Sequence, residues 1–74
     1  MNFASEIKYK LHIYRTTGPM MGNIDKVEYF STFEDAEDRY FDLFVPELMS
    51  FNPTMWELQD GTWDNGTWTR ISGY

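Results

Sequence analysis

The stretch STFEDAEDRYFDLF, residues 31–44, decides the fold of this 74-residue chain. Its apolar side chains recur every three or four positions, at Phe33, Ala36, Tyr40, Leu43 and Phe44. This spacing is typical of an α-helix that turns one face toward a core. Most of the other positions are acidic, which predicts that the opposite face of the helix meets solvent.

Residues on both sides of this stretch set the limits of the predicted helix. Residues 31–34 fit a capping box, in which the first serine and the last glutamate each accept a backbone N–H. Thr32 is an alternative N-cap. Val45-Pro46 ends the helix, because a residue that precedes proline avoids the helical conformation. We predict a further short turn at residues 46–49.

Strand-like segments flank the helix on both sides. Residues 7–15 alternate between apolar and polar side chains, which predicts a half-buried strand. Residues 26–31 are rich in β-branched and aromatic side chains and predict a second strand. Glycine and proline within residues 16–25 predict the loop between them. Residues 54–59 and 67–72 have strand composition and predict a C-terminal hairpin.

Two turn sequences compete within this second hairpin, Asp60-Gly61 and Asn65-Gly66. If Asn65-Gly66 forms the turn, Trp63 faces Trp68 across the two strands, where side chains approach most closely. If Asp60-Gly61 forms the turn, Leu58 pairs with Trp63 and a third short strand is needed. The sequence leaves both alternatives open.

The element order ββαββ predicts the fold class. We expect one α+β domain over residues 1–74, an antiparallel sheet of about four strands with one helix packed on one face. The chain has six Phe, five Tyr and three Trp. Each of these side chains can bury about 150–250 Å². We therefore expect most of them to form the core of this short chain.

The composition excludes several classes of function. The chain has no cysteine and one histidine, His12, so disulfides, a cysteine nucleophile and a Cys/His zinc site are ruled out. Residues 60–66 lack the ligand spacing of a calcium loop, and so short a chain leaves little room for a catalytic pocket. We expect no enzymatic activity, no metal and no cofactor.

The apolar runs and the first residues of the chain predict the compartment. No apolar run is long enough to cross a membrane, so we expect no membrane association. Residues 1–6 lack the basic and apolar regions of a secretory signal peptide. We therefore expect a cytoplasmic protein.

The charge distribution is the strongest indication of function. Twelve acidic and six basic residues give a net charge of −6. Residues 34–64 alone carry −8, with Arg39 as their one base. On a helical wheel four acids share one quadrant, opposite to the core positions. They are Glu34, Asp35, Asp38 and Asp42, with Glu37 and Glu47 at the margin.

Such an acidic face has two interpretations. It keeps an aromatic-rich protein soluble, or it attracts a positively charged partner. The acidic balance also argues against direct binding of nucleic acid. With Trp63 of the hairpin added, the candidate partner-binding residues are Glu34, Asp35, Asp38, Asp42, Glu37, Glu47 and Trp63.

Apolar and aromatic residues suggest further candidate sites. Trp63 and Trp68 either stiffen the hairpin or provide a platform for a small ligand such as a sugar. Met20 and Met21, near the tip of the first hairpin, either form an adaptable contact or fold back over the core. We expect His12 to be an exposed strand residue.

The chain resembles the small acidic proteins that bacteriophages use against host defence, namely anti-CRISPR proteins and DNA-mimicking antirestriction proteins. The features that carry this resemblance are its size, its charge, its aromatic density and the acidic stretch at residues 34–38. The resemblance implies an inhibitor that occupies a basic, nucleic-acid-binding surface of a host protein or ribonucleoprotein. Alternatives from other classes are a protein–protein adaptor and a small ligand-binding domain. Edge-strand pairing into a homodimer is a further option.

Overall fold

Four strands, one α-helix and one 3₁₀ segment form the fold. The computed structural model describes residues 7–72, apart from the side chains of Met49 and Ser72. The elements are strand β1 (Tyr9–Tyr14), strand β2 (Ile24–Phe30), helix α1 (Phe33–Leu43), the 3₁₀ segment (Pro46–Phe51), strand β3 (Thr54–Thr62) and strand β4 (Asn65–Ser72). The predicted α+β class and the order ββαββ are confirmed. The prediction about a signal peptide in residues 1–6 lies outside the described residues.

The strands form one antiparallel sheet in the order β2-β1-β3-β4. β1 is an inner strand, so that its Leu11 lies opposite both Glu28 of β2 and Met55 of β3. β2 begins two residues earlier than the composition predicted, at Ile24. β2 and β4 form the two edges of the sheet.

Helix α1 begins at the second of the two predicted caps. Thr32 is the N-cap, and its hydroxyl accepts the backbone N–H of Asp35 at 3.2 Å. The capping box that starts at Ser31 is therefore wrong by one residue. The helix ends at Leu43 and the 3₁₀ segment starts at Pro46, as the proline predicted. Neither helical element of residues 7–72 is long and apolar enough to span a membrane.

The core is small and largely aliphatic. α1 packs on one face of the sheet, where its Ala36 and Tyr40 are buried against Leu11, Ile13 and Met55. Tyr40 is the one buried aromatic residue among those that the structure describes. The expectation that most aromatic residues form the core is therefore wrong. A single helix covers only one face of the sheet, and many of the aromatic residues lie on the other face.

The C-terminal hairpin turns at Trp63-Asp64, the two residues between β3 and β4. Both predicted turns, Asp60-Gly61 and Asn65-Gly66, are therefore wrong. Trp63 also does not face Trp68, because Trp68 lies opposite Leu58. Each glycine instead lies within a strand.

The register of this hairpin is irregular. The register changes between Leu58 and Asp60, where β3 has one extra residue, and again opposite Met55 and Trp56, where β4 has one extra residue. Gly61 follows with a φ of +86°, in the left-handed region that glycine tolerates. Gly61 thus lies between the bulge and the turn, where it pairs with Gly66 of β4.

Candidate interaction surfaces

The side of α1 that faces away from the sheet carries a group of carboxylates, which we call the acidic helix surface. Its members are Glu34, Asp35, Glu37, Asp38 and Asp42. All of them are exposed except Glu37, which is half-buried at the edge of the packed stripe. The structure therefore brings together the five acids that the helical wheel predicted. Glu47, in the first turn of the 3₁₀ segment, is also exposed.

One arginine neutralises part of this surface. Arg39 donates from Nε to Glu28 Oε1 at 2.9 Å and from Nη1 to Asp42 Oδ2 at 3.0 Å. Lys26 Nζ approaches the second Glu28 oxygen at 3.0 Å. Hydrogen bonding to Arg39 lowers the pKa of Glu28 below its ordinary value. The other four acids of the acidic helix surface form no ion pair with any residue in the described range 7–72.

Phe41 lies beside these unpaired carboxylates and is 65% exposed. It follows Asp38 by three positions and Glu37 by four, which makes the three side chains neighbours on the helix surface. Its ring meets the ring of Tyr40 edge-on at a centroid distance of 5.5 Å. An aromatic residue surrounded by charged ones is typical of a protein-binding surface. Phe41 was not predicted as a contact residue, because its position falls outside the core spacing of Ala36, Tyr40 and Leu43.

The remaining predicted binding residue, Trp63, lies elsewhere. Its ring packs edge-on against Tyr29 at a centroid distance of 5.1 Å. Tyr29 precedes Phe30, whose side chain packs against the core under α1. Successive strand residues point to opposite faces, so Tyr29 and Trp63 lie on the face away from the helix. The structure thus separates Trp63 from the acidic residues with which it was grouped.

The sheet face that points away from α1, which we call the open face, carries aromatic and basic side chains. In the strand register Tyr29 of β2 lies opposite Lys10 of β1, which in turn lies opposite Trp56 of β3. Arg70 completes this row on β4, opposite Trp56. Lys10 Nζ lies 4.5 Å from the centroid of the Trp68 ring and 5.8 Å from that of Trp56. Both contacts have the geometry of cation–π interactions.

His12 is on the same open face and is half-buried rather than exposed as expected. The centroid of its ring lies 5.0 Å from the ring centroid of Trp56. Burial lowers the pKa of His12, and the positive charge of Lys10 lowers it further. Trp56 Nε1 donates to Thr54 Oγ1 at 3.0 Å, and the Tyr14 hydroxyl lies 3.2 Å from the same oxygen. These contacts hold the Trp56 ring in place.

A cavity, the placement of possible metal ligands and an exposed loop are smaller features of the structure. A cavity of about 250 Å³ lies between the end of α1, the 3₁₀ segment and β1, with Asp42 as the one carboxylate in its lining. Among residues 7–72 no group of three or more His, Asp or Glu side chains is placed to hold a metal ion. Met20 and Met21 are both exposed, which favours the contact alternative over folding back onto the core.

Comparison with known proteins adds no relationship to these observations. No family model, no curated protein and no solved structure matches this chain. The acidic helix surface and the open face are therefore the features of this chain that bear on its function.

Proposed function

We propose that this protein is a non-enzymatic inhibitor that binds a basic, nucleic-acid-binding surface of a host defence complex. The observation that carries the proposal is that four exposed or half-exposed carboxylates of the acidic helix surface form no ion pair with any residue of the described range 7–72. Like charges four residues apart, such as Glu34 and Asp38, destabilise a helix by about 0.2–0.5 kcal/mol. Lysine and arginine side chains of a partner would remove this repulsion.

The arrangement suits competition with a nucleic acid. Glu34, Asp38 and Asp42 succeed each other at intervals of four residues, which corresponds to a rise of about 6 Å along the helix axis. In the complex the unpaired carboxylates of Glu34 and Asp38 take the place of phosphates on the partner's basic surface, and Asp42 stays paired with Arg39. A surface of one charge sign also accelerates association with an oppositely charged partner, by about 10- to 1,000-fold at low salt.

Exposed Phe41 favours a protein partner with an apolar depression inside its basic surface. Its exposed ring offers contact area that a phosphate backbone lacks. In this arrangement the charges orient the complex, and burial of the ring slows its dissociation. Inhibition requires no chemical step, because the bound protein excludes the nucleic acid.

A competition experiment tests the proposal. Labelled nucleic acid is bound to purified bacterial defence complexes, and its displacement by this protein is followed by fluorescence anisotropy. We compare the wild-type protein with Asp38→Lys and with Asp64→Lys. Both variants change the net charge equally, but exposed Asp64 lies in the hairpin turn, away from α1.

We expect Asp38→Lys to weaken displacement by at least about tenfold at low salt, because juxtaposed like charges cost several kcal/mol. Asp64→Lys should leave it within about twofold, as expected for a charge outside the interface. The wild-type affinity should fall as salt is added. An affinity that is independent of ionic strength, or an equal loss in both variants, would contradict the proposal.

A further inference from the structure

The basic residues of the chain divide into two groups according to their place in the fold. Three of them form ion pairs with carboxylates: Arg15, Lys26 and Arg39. The other three form no ion pair within residues 7–72: Lys8, Lys10 and Arg70. All three of these unpaired residues occupy positions on the open face.

The register establishes this placement. Lys10 alternates with the core residues Tyr9 and Leu11 and therefore points away from α1. Lys8 precedes Lys10 by two positions, and its carbonyl accepts the backbone N–H of Leu58 at 2.8 Å, which continues the ladder between β1 and β3. Arg70 lies opposite Trp56 on the same face as Lys10.

Carboxylates are missing from this part of the sheet. The rows through Lys8, Lys10 and His12 contain no acidic residue at any position that the structure describes. Glu28 and Glu57 lie opposite Leu11 and Tyr9, on the helix side of the sheet. A chain with twice as many acidic as basic residues thus has a sheet face on which cations alternate with aromatic rings.

We propose that the open face binds a short single-stranded nucleic acid. Its bases would stack on the exposed ring of Tyr29 and against the solvent-accessible parts of the half-buried Trp56 and Trp68 rings. Its phosphates would lie beside Lys8, Arg70 and Lys10, whose Nζ contacts both indole rings. Aromatic rings combined with basic side chains are the general means by which proteins hold single strands. Three inter-strand spacings give the Tyr29-to-Arg70 row a length of about 14 Å, enough for a few nucleotides.

The net charge of −6 does not prevent this binding, because the acidic helix surface lies on the other side of the sheet. At physiological ionic strength a charge is screened beyond about 8 Å. The sequence-based expectation of no direct nucleic acid binding was based on the acidic balance of the whole chain. The indole N–H of Trp56 is already bonded to Thr54, so its ring can recognise a ligand only by stacking. We therefore expect stacking to dominate and binding to depend little on base sequence.

Direct titration tests the proposal without any host protein, so its outcome is independent of the inhibitor proposal. Oligothymidylate and oligouridylate of about eight nucleotides, a length typical of single-strand binding folds, are added to the protein. We expect both to quench tryptophan fluorescence, since Trp56, Trp63 and Trp68 all lie on or beside the open face. With three phosphate contacts, the slope of log affinity against log salt should be about −2.

Two single-charge variants separate the open face from the overall charge. Lys8→Gln removes an exposed cation from the open face, whereas Lys26→Gln removes one from the helix side. We expect Lys8→Gln to weaken binding and to reduce the salt slope by about 0.7, with no change for Lys26→Gln. Tyr29→Ala should weaken binding by about 5- to 150-fold through loss of one stacked base. Tyr29 is 41% exposed on an edge strand, and circular dichroism verifies the fold of this variant.

Four results would overturn the proposal. The first is unchanged fluorescence with either oligonucleotide at millimolar concentration and low salt. The second is equal weakening by Lys8→Gln and Lys26→Gln, which would indicate a response to net charge alone. The third is equal quenching by a polyglutamate peptide, which would assign the face to an acidic protein. The fourth is self-association that Tyr29→Ala abolishes, which would show that a second copy covers the face.

Discussion

Arg39 Nε lies 2.9 Å from Glu28 Oε1, and this hydrogen bond joins the exposed side of α1 to the edge strand β2. It is the main cause of the lowered pKa of Glu28. A carboxylate with a lowered folded-state pKa stabilises the fold above its unfolded pKa, and this contribution is lost as the pH falls through the folded pKa. Because Arg39 bonds both Glu28 on β2 and Asp42 on α1, it links the packing of the helix to the acidic helix surface.

We predict that Arg39→Gln raises the pKa of Glu28 toward its ordinary value of 4.5. The variant should be less stable than the wild-type protein at neutral pH. The difference should vanish at a pH below the folded pKa of Glu28, where the carboxylate is protonated in both proteins. NMR titration of the Glu28 side chain and urea unfolding at several pH values measure the two effects.

A matched arginine provides the control for this prediction. Arg15 pairs with Asp25 at 2.9 Å and does not contact Glu28. Arg15→Gln should therefore leave the pKa of Glu28 unchanged. If Arg39→Gln also leaves it unchanged, the ion pair between α1 and β2 is not formed in solution.

The N-cap of α1 gives a second prediction, on stability. Thr32→Ala removes the hydroxyl that accepts the Asp35 N–H, and should lower the free energy of unfolding by about 1 kcal/mol. Ser31→Ala, one residue earlier, should change it by less than about 0.5 kcal/mol. Urea unfolding of the two variants measures both values. A larger loss for Ser31→Ala would restore the capping box at residues 31–34.

The position of the hairpin turn leads to a third prediction. A Cβ atom added to Gly61 would lie 2.8 Å from the carbonyl oxygen of Asn65, in addition to the positive φ. Gly18 also has a positive φ, but nothing lies within 4 Å of its added Cβ. Gly18→Ala should cost about 1–2 kcal/mol from backbone conformation alone. Gly61→Ala should cost more, and equal losses in thermal or urea unfolding would contradict the bulged hairpin.

The predictable parts of this fold are those that local sequence patterns determine. The face of α1 and its end before Pro46 depend on residue spacing within one helix, and both were predicted. The turn of the second hairpin depends on the register of β3 and β4, which changes between Leu58 and Asp60. Composition favours either glycine-containing turn, because it does not reveal the register of two strands.

The two candidate surfaces also differ in how far the sequence could predict them. The acidic helix surface was predicted because its residues are close in sequence and follow the helical period. The open face was not, because its row of Tyr29, Lys10, Trp56 and Arg70 takes one residue from each of four strands. Strand order and register, which are long-range properties, bring these residues together.

Phe41 allows a fourth prediction, which separates binding from stability. Because its side chain is 65% exposed, Phe41→Ala should change the free energy of unfolding by less than about 0.5 kcal/mol. If the ring fills a depression on the partner, the same variant should weaken inhibition by about 30-fold, or about 2 kcal/mol. Met20→Ala is the control, since Met20 is similarly exposed but lies in the first hairpin loop. Equal effects of both variants on inhibition would exclude Phe41 as a specific contact.

His12 provides the last prediction, on pH dependence. Burial and the charge of Lys10 hold its folded pKa below the ordinary value of 6.5, so protonation favours the unfolded chain. The free energy of unfolding should therefore decrease as the pH falls below about 6.5, until the folded pKa is passed. In His12→Gln this decrease should disappear, and in Lys10→Gln it should become smaller because one of its two causes is removed. Urea unfolding between about pH 7.5 and 5.5 measures the slopes, a range in which most carboxylates stay ionised. A wild-type slope that His12→Gln leaves intact would show that another group is responsible.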